Sequence, residues 1–373
     1  MQNLFCLIYF LKKIFFTVTN DLTHDQRMQR ICASLAKEGY AVTLVGRRLT
    51  TSKPLNHPVY QQKRLYCFFK KGKLFYAEFN TRLFLFLLFK KMDAICAIDL
   101  DTILPCLGIS RIKKIKRIYD AHELFTEMKE VISRPRIHKT WLQVERKAVP
   151  KFKYGYTVSR GIAEEFDRRY AVDYKVIRNL PVLRPILQKQ RNKNTILYQG
   201  AVNEGRGFEN LIPSMKLIHG ELIICGEGNF MDKLKMLIRD NAVHEKVILK
   251  GMLSPDELWE EACQAYIGIH VPEKEGLNQL LALPNKFFDY LHAGLPQVTV
   301  NYPEYKKINE QFKTAILLND TSPEKIAESV NNLIENDVLY NELQQNCLKA
   351  REELNWNKEE KKLIDFYHSV FAS

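Results

Sequence analysis

At 373 residues the chain exceeds what one hydrophobic core usually supports, so two domains are expected. Apolar residues at 46% and charged residues at 27% exclude a disordered, collagenous or coiled-coil chain. The net charge of +13 is lopsided: up to Leu180, 34 Lys plus Arg stand against 16 Asp plus Glu, and the remainder carries −5. A basic half of this kind attracts an anionic membrane face, an anionic lipid-linked substrate or nucleic acid.

The opening run, MQNLFCLIYF, is shorter than the ~20 apolar residues of a membrane-spanning helix. It has neither the basic flank nor the cleavage site of a signal peptide, and reads as a start extension or a short membrane-touching tail. After it, short apolar runs alternate with amphipathic helices: a strand at 14–18, a helix at 26–38 closed by Gly39, and strands at 41–45, 94–98, 117–119 and 155–158. That alternation predicts a parallel sheet with crossover helices. Residues 79–91 are apolar nearly all round and flanked by basic residues, and residues 111–118 (RIKKIKRI) add positive density. A core helix and a solvated face explain them separately; together they fit contact with an anionic membrane.

Residues 181–194, PVLRPILQKQRNKN, read as a linker, and behind them the pattern restarts. Strands are expected at 195–199, 221–225, 246–249 and 267–271, with helices at 207–215 and 231–240 between them. At Ser254-Pro255-Asp256-Glu257 a capping box opens a further helix. The most informative segment is LPNKFFDYLHAGLP, residues 283–296: a helix whose packing face is Phe287, Phe288, Tyr290 and Leu291, stopped by Gly294 and Pro296 before a strand at 297–301. Asp289 stands inside it, a carboxylate that must find donors, either locally or on a ligand. Helices fill 323–335 and 337–371. The eight cysteines (Cys6, Cys32, Cys67, Cys96, Cys106, Cys225, Cys263 and Cys347) are scattered singly, which argues against zinc or a disulfide framework and for a reducing, cytoplasmic setting.

The segment around Asp289 resembles the nucleotide-sugar motif of GT-B glycosyltransferases of the GT4 type, in which an acidic residue five positions before the glycine of AxGxP bonds the ribose hydroxyls. Ala293, Gly294 and Pro296 complete that match. The resemblance implies an α/β GT-B fold of two Rossmann-like doubly wound domains with a cleft between them. Residues 1–180 would form the acceptor-side domain, 195–355 the nucleotide-sugar domain, and 356–373 a last helix crossing back to the first. Leu197 to Ile212 resembles the family's diphosphate loop, with Gly200 in place, Ala201 where an arginine usually stands and Arg206 at the family's lysine. Asn285 and Lys286 open the helix, where free amides and the dipole favour phosphate.

The family's second acidic position falls on Leu281, so that spacing is broken. Glu275-Gly276 fits it if six residues are inserted, leaving Glu275 to meet the donor sugar or simply to sit in solvent. Tyr119 to Glu123 (YDAHE) resembles the family's DxHE segment and makes His122 a donor-sugar contact, with Asp120 and Glu123 orienting it. In the first loop Asp21, Asp25 and Arg27 are acceptor-side candidates, although Asp21 or Thr23 would equally serve as a helix cap. Ser159 resembles the family's VS turn but is explained by capping. Asp99-Leu100-Asp101 spells DxD, which holds a metal in a different glycosyltransferase fold; no metal is expected here.

The sequence therefore predicts a retaining glycosyltransferase using a nucleoside diphosphate sugar, with no cofactor and no nucleic-acid partner. A glycan or lipid-linked acceptor is expected, and a peripheral seat on the inner face of the plasma membrane is an option. The rivals are a non-catalytic GT-B scaffold binding a polyanion or partner, and a sugar-nucleotide epimerase of the same overall fold.

Overall fold

The computed structural model describes residues 11–372 except 24, 56–58 and 188. The apolar run at residues 1–10, with Cys6, lies outside the described residues. Two compact units emerge: Met1–Ile177 together with Glu360–Ser373, and Arg178–Glu359. Residues 181–194 fall in the second unit, and the last helix, Trp356–Ala372, contributes to both.

The first unit is built on seven parallel strands: β1 (Lys13–Thr17), β2 (Ala41–Arg48), β3 (Gln61–Tyr66), β4 (Ala94–Ile98), β5 (Lys116–Ala121), β6 (Tyr154–Thr157) and β7 (Lys175–Val176), in spatial order 3-2-1-4-5-6-7. Parallel strands covered on both faces read as continuous apolar runs, and β4 (AICAI) is buried throughout. The edge strand β3 (QQKRLY) is polar and half-exposed, so no apolar run marked it.

The second unit has six parallel strands: β8 (Thr195–Gln199), β9 (Glu221–Cys225), β10 (Val247–Gly251), β11 (Ile267–His270), β12 (Gln297–Val300) and β13 (Ala315–Leu318), in order 10-9-8-11-12-13. Along β8 successive side chains face opposite layers: Ile196 and Tyr198 join a core with Phe208, Phe230 and Val330, while Leu197 packs with Trp259, Tyr290 and Leu295. The two doubly wound units of a GT-B fold are thus present. In each, the strand order reverses beside one strand, β1 in the first and β8 in the second, and ligands of such sheets bind at the carboxyl ends there.

The helix Gly72–Leu88 departs from the all-round apolar reading. It buries one stripe, Phe75, Phe79, Leu83 and Leu87, at i,i+4 spacing. The basic run at 111–118 is likewise not one face: Arg111 and Lys113 end the helix Ile103–Lys113, whereas Lys116 and Arg117 lie half-buried in β5.

Candidate functional site

In the second unit three loops leave the carboxyl ends of β8, β9 and β11 and touch one another through glycine. A Cβ on Gly226 would lie 1.9 Å from the Gly200 carbonyl oxygen, and one on Gly207 1.9 Å from that of Val271. Backbone bonds complete the weave: Gly200 N to Cys225 O at 2.8 Å and Glu273 N to Gly205 O at 3.1 Å. Above this floor stands the helix Asn285–His292, preceded by Pro284 and without a side-chain cap at its start. The Tyr290 hydroxyl fixes it to β8, donating to Leu197 O and accepting from Gln199 N, both at 3.0 Å.

That docking brings Asp289 to Gln199, whose Nε2 donates to Asp289 Oδ2 at 2.9 Å. The carboxylate thus has the protein donor it needs and remains half-buried. One turn earlier Lys286 is 8% exposed, and its Nζ has no hydrogen-bond partner. The amine packs 3.7 Å from the centre of the Tyr198 ring, and a Cβ on Gly200 would lie 3.3 Å from it. Gly200, with φ +114°, therefore leaves room for this side chain. Burial first, and Arg206 second, push the Lys286 amine well below the usual lysine range, against the pull of Asp289.

His270 at the end of β11 shares this environment. Its Nδ1 is buried without a partner, and burial, Lys286 and Arg206 together hold the imidazole neutral. Gln199 Oε1 is a third buried atom without a partner. Arg206 is half-exposed, and its Nη1 approaches Gln279 Oε1 at 3.5 Å. Native proteins leave few buried polar atoms unpaired. Two of them, the Lys286 amine and the His270 imidazole nitrogen, stand beside Arg206 at the carboxyl ends of β8 and β11 and the start of a helix, an arrangement that suits an anion with several acceptor oxygens, whereas Gln199 Oε1 is an acceptor and suits a hydroxyl donor.

The other sequence-predicted residues of this unit stand apart from that cluster or beside it. Asn285 is exposed and accepts from Asn179 Nδ2 at 2.6 Å. Glu275 is exposed ahead of Gly276. The inserted residues form the short helix Leu277–Leu281, whose Gln279 donates to Gly205 O and approaches Arg206. Gly294, with φ +64°, turns the chain beyond the far end of the helix, where a Cβ would press on Leu348 at 2.8 Å. It shapes the packing at that end of the helix. His270, Tyr198, Gln199 and Gln279 were not picked out from the sequence; a histidine closing an otherwise apolar strand was the one visible signal.

In the first unit the carboxyl ends of β4 and β5 hold a linked array. Asp120 is fully buried and accepts from Arg27 Nη2 at 2.9 Å, and its other oxygen lies 3.1 Å from His122 Nε2. Asp99 Oδ1 accepts from the His122 amide at 2.9 Å, and its Oδ2 is 3.7 Å from His122 Nδ1. Burial disfavours a charged His122, but Asp120 and Asp99 outweigh it and raise its pKa to about 9. Asp120 is itself held below the carboxylate range: burial pushes it up, and Arg27 and His122 prevail. Asp99, with φ 52°, is raised to about 7 by burial despite His122. Asp99 therefore belongs with His122, a role the sequence reading did not assign. Asp101 accepts from the Thr19 hydroxyl.

Each of the three acceptor-side candidates has a partner within its own unit. Arg27 is 3% exposed and paired with Asp120, so its charge is satisfied inside the unit. Asp25 caps the helix Gln26–Lys37 by accepting from Met28 N at 2.9 Å. Asp21 accepts from Thr23 N and the Ser52 hydroxyl and lies near Arg64, which holds the loop. Ser159 caps the helix Arg160–Tyr170, as expected.

Two doubly wound parallel sheets, the second carrying an anion seat at its switch point, define a GT-B-fold chain. Residues 181–353, a little under half of the chain, match the model of the family described as glycosyl transferases group 1. An uncharacterized glycosyltransferase of Methanocaldococcus jannaschii is 26% identical over 195 residues, covering 50% of this chain and 47% of that protein, so the match spans about half of each. The solved sucrose-phosphate synthase of Thermosynechococcus elongatus superposes with a TM-score of 0.82 at 15% identity, covering 97% of this chain and 99% of its own. The Anabaena protein HepE in complex with UDP-glucose gives 0.77 at 14% identity, covering 96% and 99%. At such identities these two structures speak for the fold.

Proposed function

We propose that the protein is a retaining glycosyltransferase of the GT4 type. It would transfer a hexosyl or N-acetylhexosaminyl group from a nucleoside diphosphate sugar to a glycan or lipid-linked acceptor, in surface polysaccharide or glycoconjugate synthesis, without metal or cofactor. The observation that carries the reading is the pair of buried, unpaired nitrogens of Lys286 and His270 beside Arg206, in the part of the chain that matches the family. A diphosphate supplies the acceptor oxygens and the negative charge these groups lack. HepE is solved with UDP-glucose, which puts uridine diphosphate sugars first among the donors to try.

In this reading Asp289, anchored by Gln199, accepts from the ribose hydroxyls, and Arg206, Lys286 and the amides opening the helix Asn285–His292 hold the diphosphate. As the glycosidic bond breaks, charge grows on the departing phosphate. Fixed donors there are worth on the order of a hundredfold or more in rate each. The leaving diphosphate takes the acceptor proton on the same face of the sugar, so no side-chain nucleophile is required. His122 keeps the donor-sugar role that the resemblance gives it; positively charged at neutral pH, it donates hydrogen bonds and does not act as a base. The enzyme would work in the cytoplasm with peripheral contact to an anionic membrane face. No helix among the described residues is long and apolar enough to cross a membrane.

The test is calorimetric binding of UDP-, GDP-, ADP- and TDP-sugars, with Asp289→Ala and Arg206→Ala alongside. Selective binding lost in Asp289→Ala is expected, and turnover reduced at least a hundredfold in Arg206→Ala with unchanged thermal unfolding. A folded protein that binds none of the four would turn the reading to a non-catalytic scaffold.

A further inference from the structure

The turn after the edge strand β3 takes no part in the chemistry above, yet it is built with care. It runs Tyr66-Cys67-Phe68-Phe69-Lys70-Lys71-Gly72-Lys73-Leu74. Tyr66, Phe68, Phe69 and Leu74 are 54, 70, 47 and 52% exposed, and Lys70, Lys71 and Lys73 are exposed between them. Among the described residues none of these three lysines has an ion pair.

Exposed side chains on a loose loop would be ordinary, but this turn is pinned. The carboxylate of Glu78, on the following helix, accepts from Phe68 N at 3.0 Å with one oxygen and from Phe69 N at 2.9 Å with the other. Arg82 donates to that carboxylate at 2.8 Å and lies over the Phe68 ring at 5.2 Å. Tyr66 packs edge-on against Phe68, with centroids 5.3 Å apart, and Arg47 Nη2 donates to Lys70 O at 2.7 Å. The one acidic side chain at the turn therefore faces inward and holds the backbone, while two phenyl rings and three uncompensated ammonium groups project outward.

Rings and lysines in alternation are the chemistry of a membrane interface. Aromatic side chains settle at headgroup depth, and lysines reach lipid phosphates from apolar stems. A soluble polyanion would use the lysines and leave the rings in water. We propose that residues 66–74 are a membrane-docking tip, seating Phe68 and Phe69 in the headgroup layer of an anionic bilayer with Lys70, Lys71 and Lys73 on its phosphates. The assignment gives a surface to the membrane contact in the function proposed above and rests on that part of it.

The test is flotation of the full chain with vesicles of phosphatidylcholine alone and of phosphatidylcholine mixed with phosphatidylglycerol. The unaltered protein is expected to float with the mixed vesicles only. Replacing Lys70, Lys71 and Lys73 together by Gln should weaken vesicle binding on the order of a hundredfold. The pair Phe68→Ser and Phe69→Ser should weaken it at least about tenfold. Thermal unfolding and UDP affinity should be unchanged in both. A Phe68→Trp protein should show blue-shifted emission on the mixed vesicles, quenched by brominated lipid. If the unaltered protein ignores both vesicles, the tip and the membrane contact both fall, and donor binding is untouched. If it floats but both variants float equally well, the surface is elsewhere. Loss with the lysine variant alone, without a tryptophan shift, would mean simple attraction to a polyanion and would overturn the docking tip.

Discussion

The two units place charge at equivalent ends of similar sheets and handle it in opposite ways. In the first, Arg27, Asp120, His122 and Asp99 form a chain in which each charge faces its opposite. In the second, Lys286, Arg206 and His270 are neighbours of like tendency, and the nearest acid, Asp289, is engaged by Gln199. The first arrangement stabilises the empty protein. The second leaves a buried amine and an imidazole nitrogen without partners in the empty protein, a cost that an anionic ligand would return under the function proposed above.

Removing a charge therefore has opposite consequences in the two places. Asp120→Asn leaves the Arg27 guanidinium buried beside a neutral amide and should destabilise the first unit by about 3–5 kcal/mol. In thermal unfolding that is a fall of roughly 10 °C. A change below about 1 kcal/mol would mean that Arg27 finds water instead, and the self-satisfied picture would fail.

Lys286→Met removes a buried amine without a partner, so unfolding of the empty protein should be unchanged or shifted upward. Nucleotide affinity should fall on the order of a hundredfold, because a charge-assisted phosphate contact has gone. Destabilisation with intact UDP binding would reverse the assignment and make Lys286 part of the core.

How much of this was legible in the sequence depends on how local its cause is. Strands covered on both faces announce themselves as apolar runs, as in AICAI of β4 and TILYQ of β8, and the helix Asn285–His292 was visible from its packing face and its stop. The edge strand β3, the two-residue β7 and the insertion helix Leu277–Leu281 carry no such pattern. Within the site, Asp289, Lys286 and Arg206 were found through motif resemblance. The burial of Arg27 was not, because the carboxylate that draws it inside is 93 residues away, and the Gln279 contact with Arg206 spans 73. Gly294 shows the same limit: the positive φ and the close approach of Leu348 that call for a glycine there are invisible in one dimension.

The pH dependence separates the units again. His122 has an ordinary value of 6.5 and a folded value of about 9. The folded state thus holds an extra proton between them, and the stabilisation it brings is complete below pH 6.5 and lost as pH rises through 9. Lys286 is shifted downward from 10.5, so its contribution has the opposite slope, greatest above that value and declining as pH falls. Stability measured from pH 6 to 10 should lose about 3 kcal/mol of its alkaline decline in His122→Gln. It should become steeper in Lys286→Met. Parallel curves for all three proteins would show that neither group is perturbed as the geometry implies.

The smallest effect lies at a position where both readings were open. Ser159 sits in the first unit on a turn that resembles a family motif, yet its hydroxyl accepts from Ile162 N at 3.2 Å as the cap of Arg160–Tyr170. A cap satisfies one amide at a helix start, so Ser159→Ala should cost about 1 kcal/mol, and Ser159→Asp should recover part of it. Nucleotide affinity should be unaffected by either change. A loss of affinity on the order of tenfold, with stability unchanged, would move Ser159 from the self-satisfied class to the ligand-facing one. The division between an ion-paired array at the end of one sheet and an open cluster at the end of the other would then no longer follow the boundary between the two sheets.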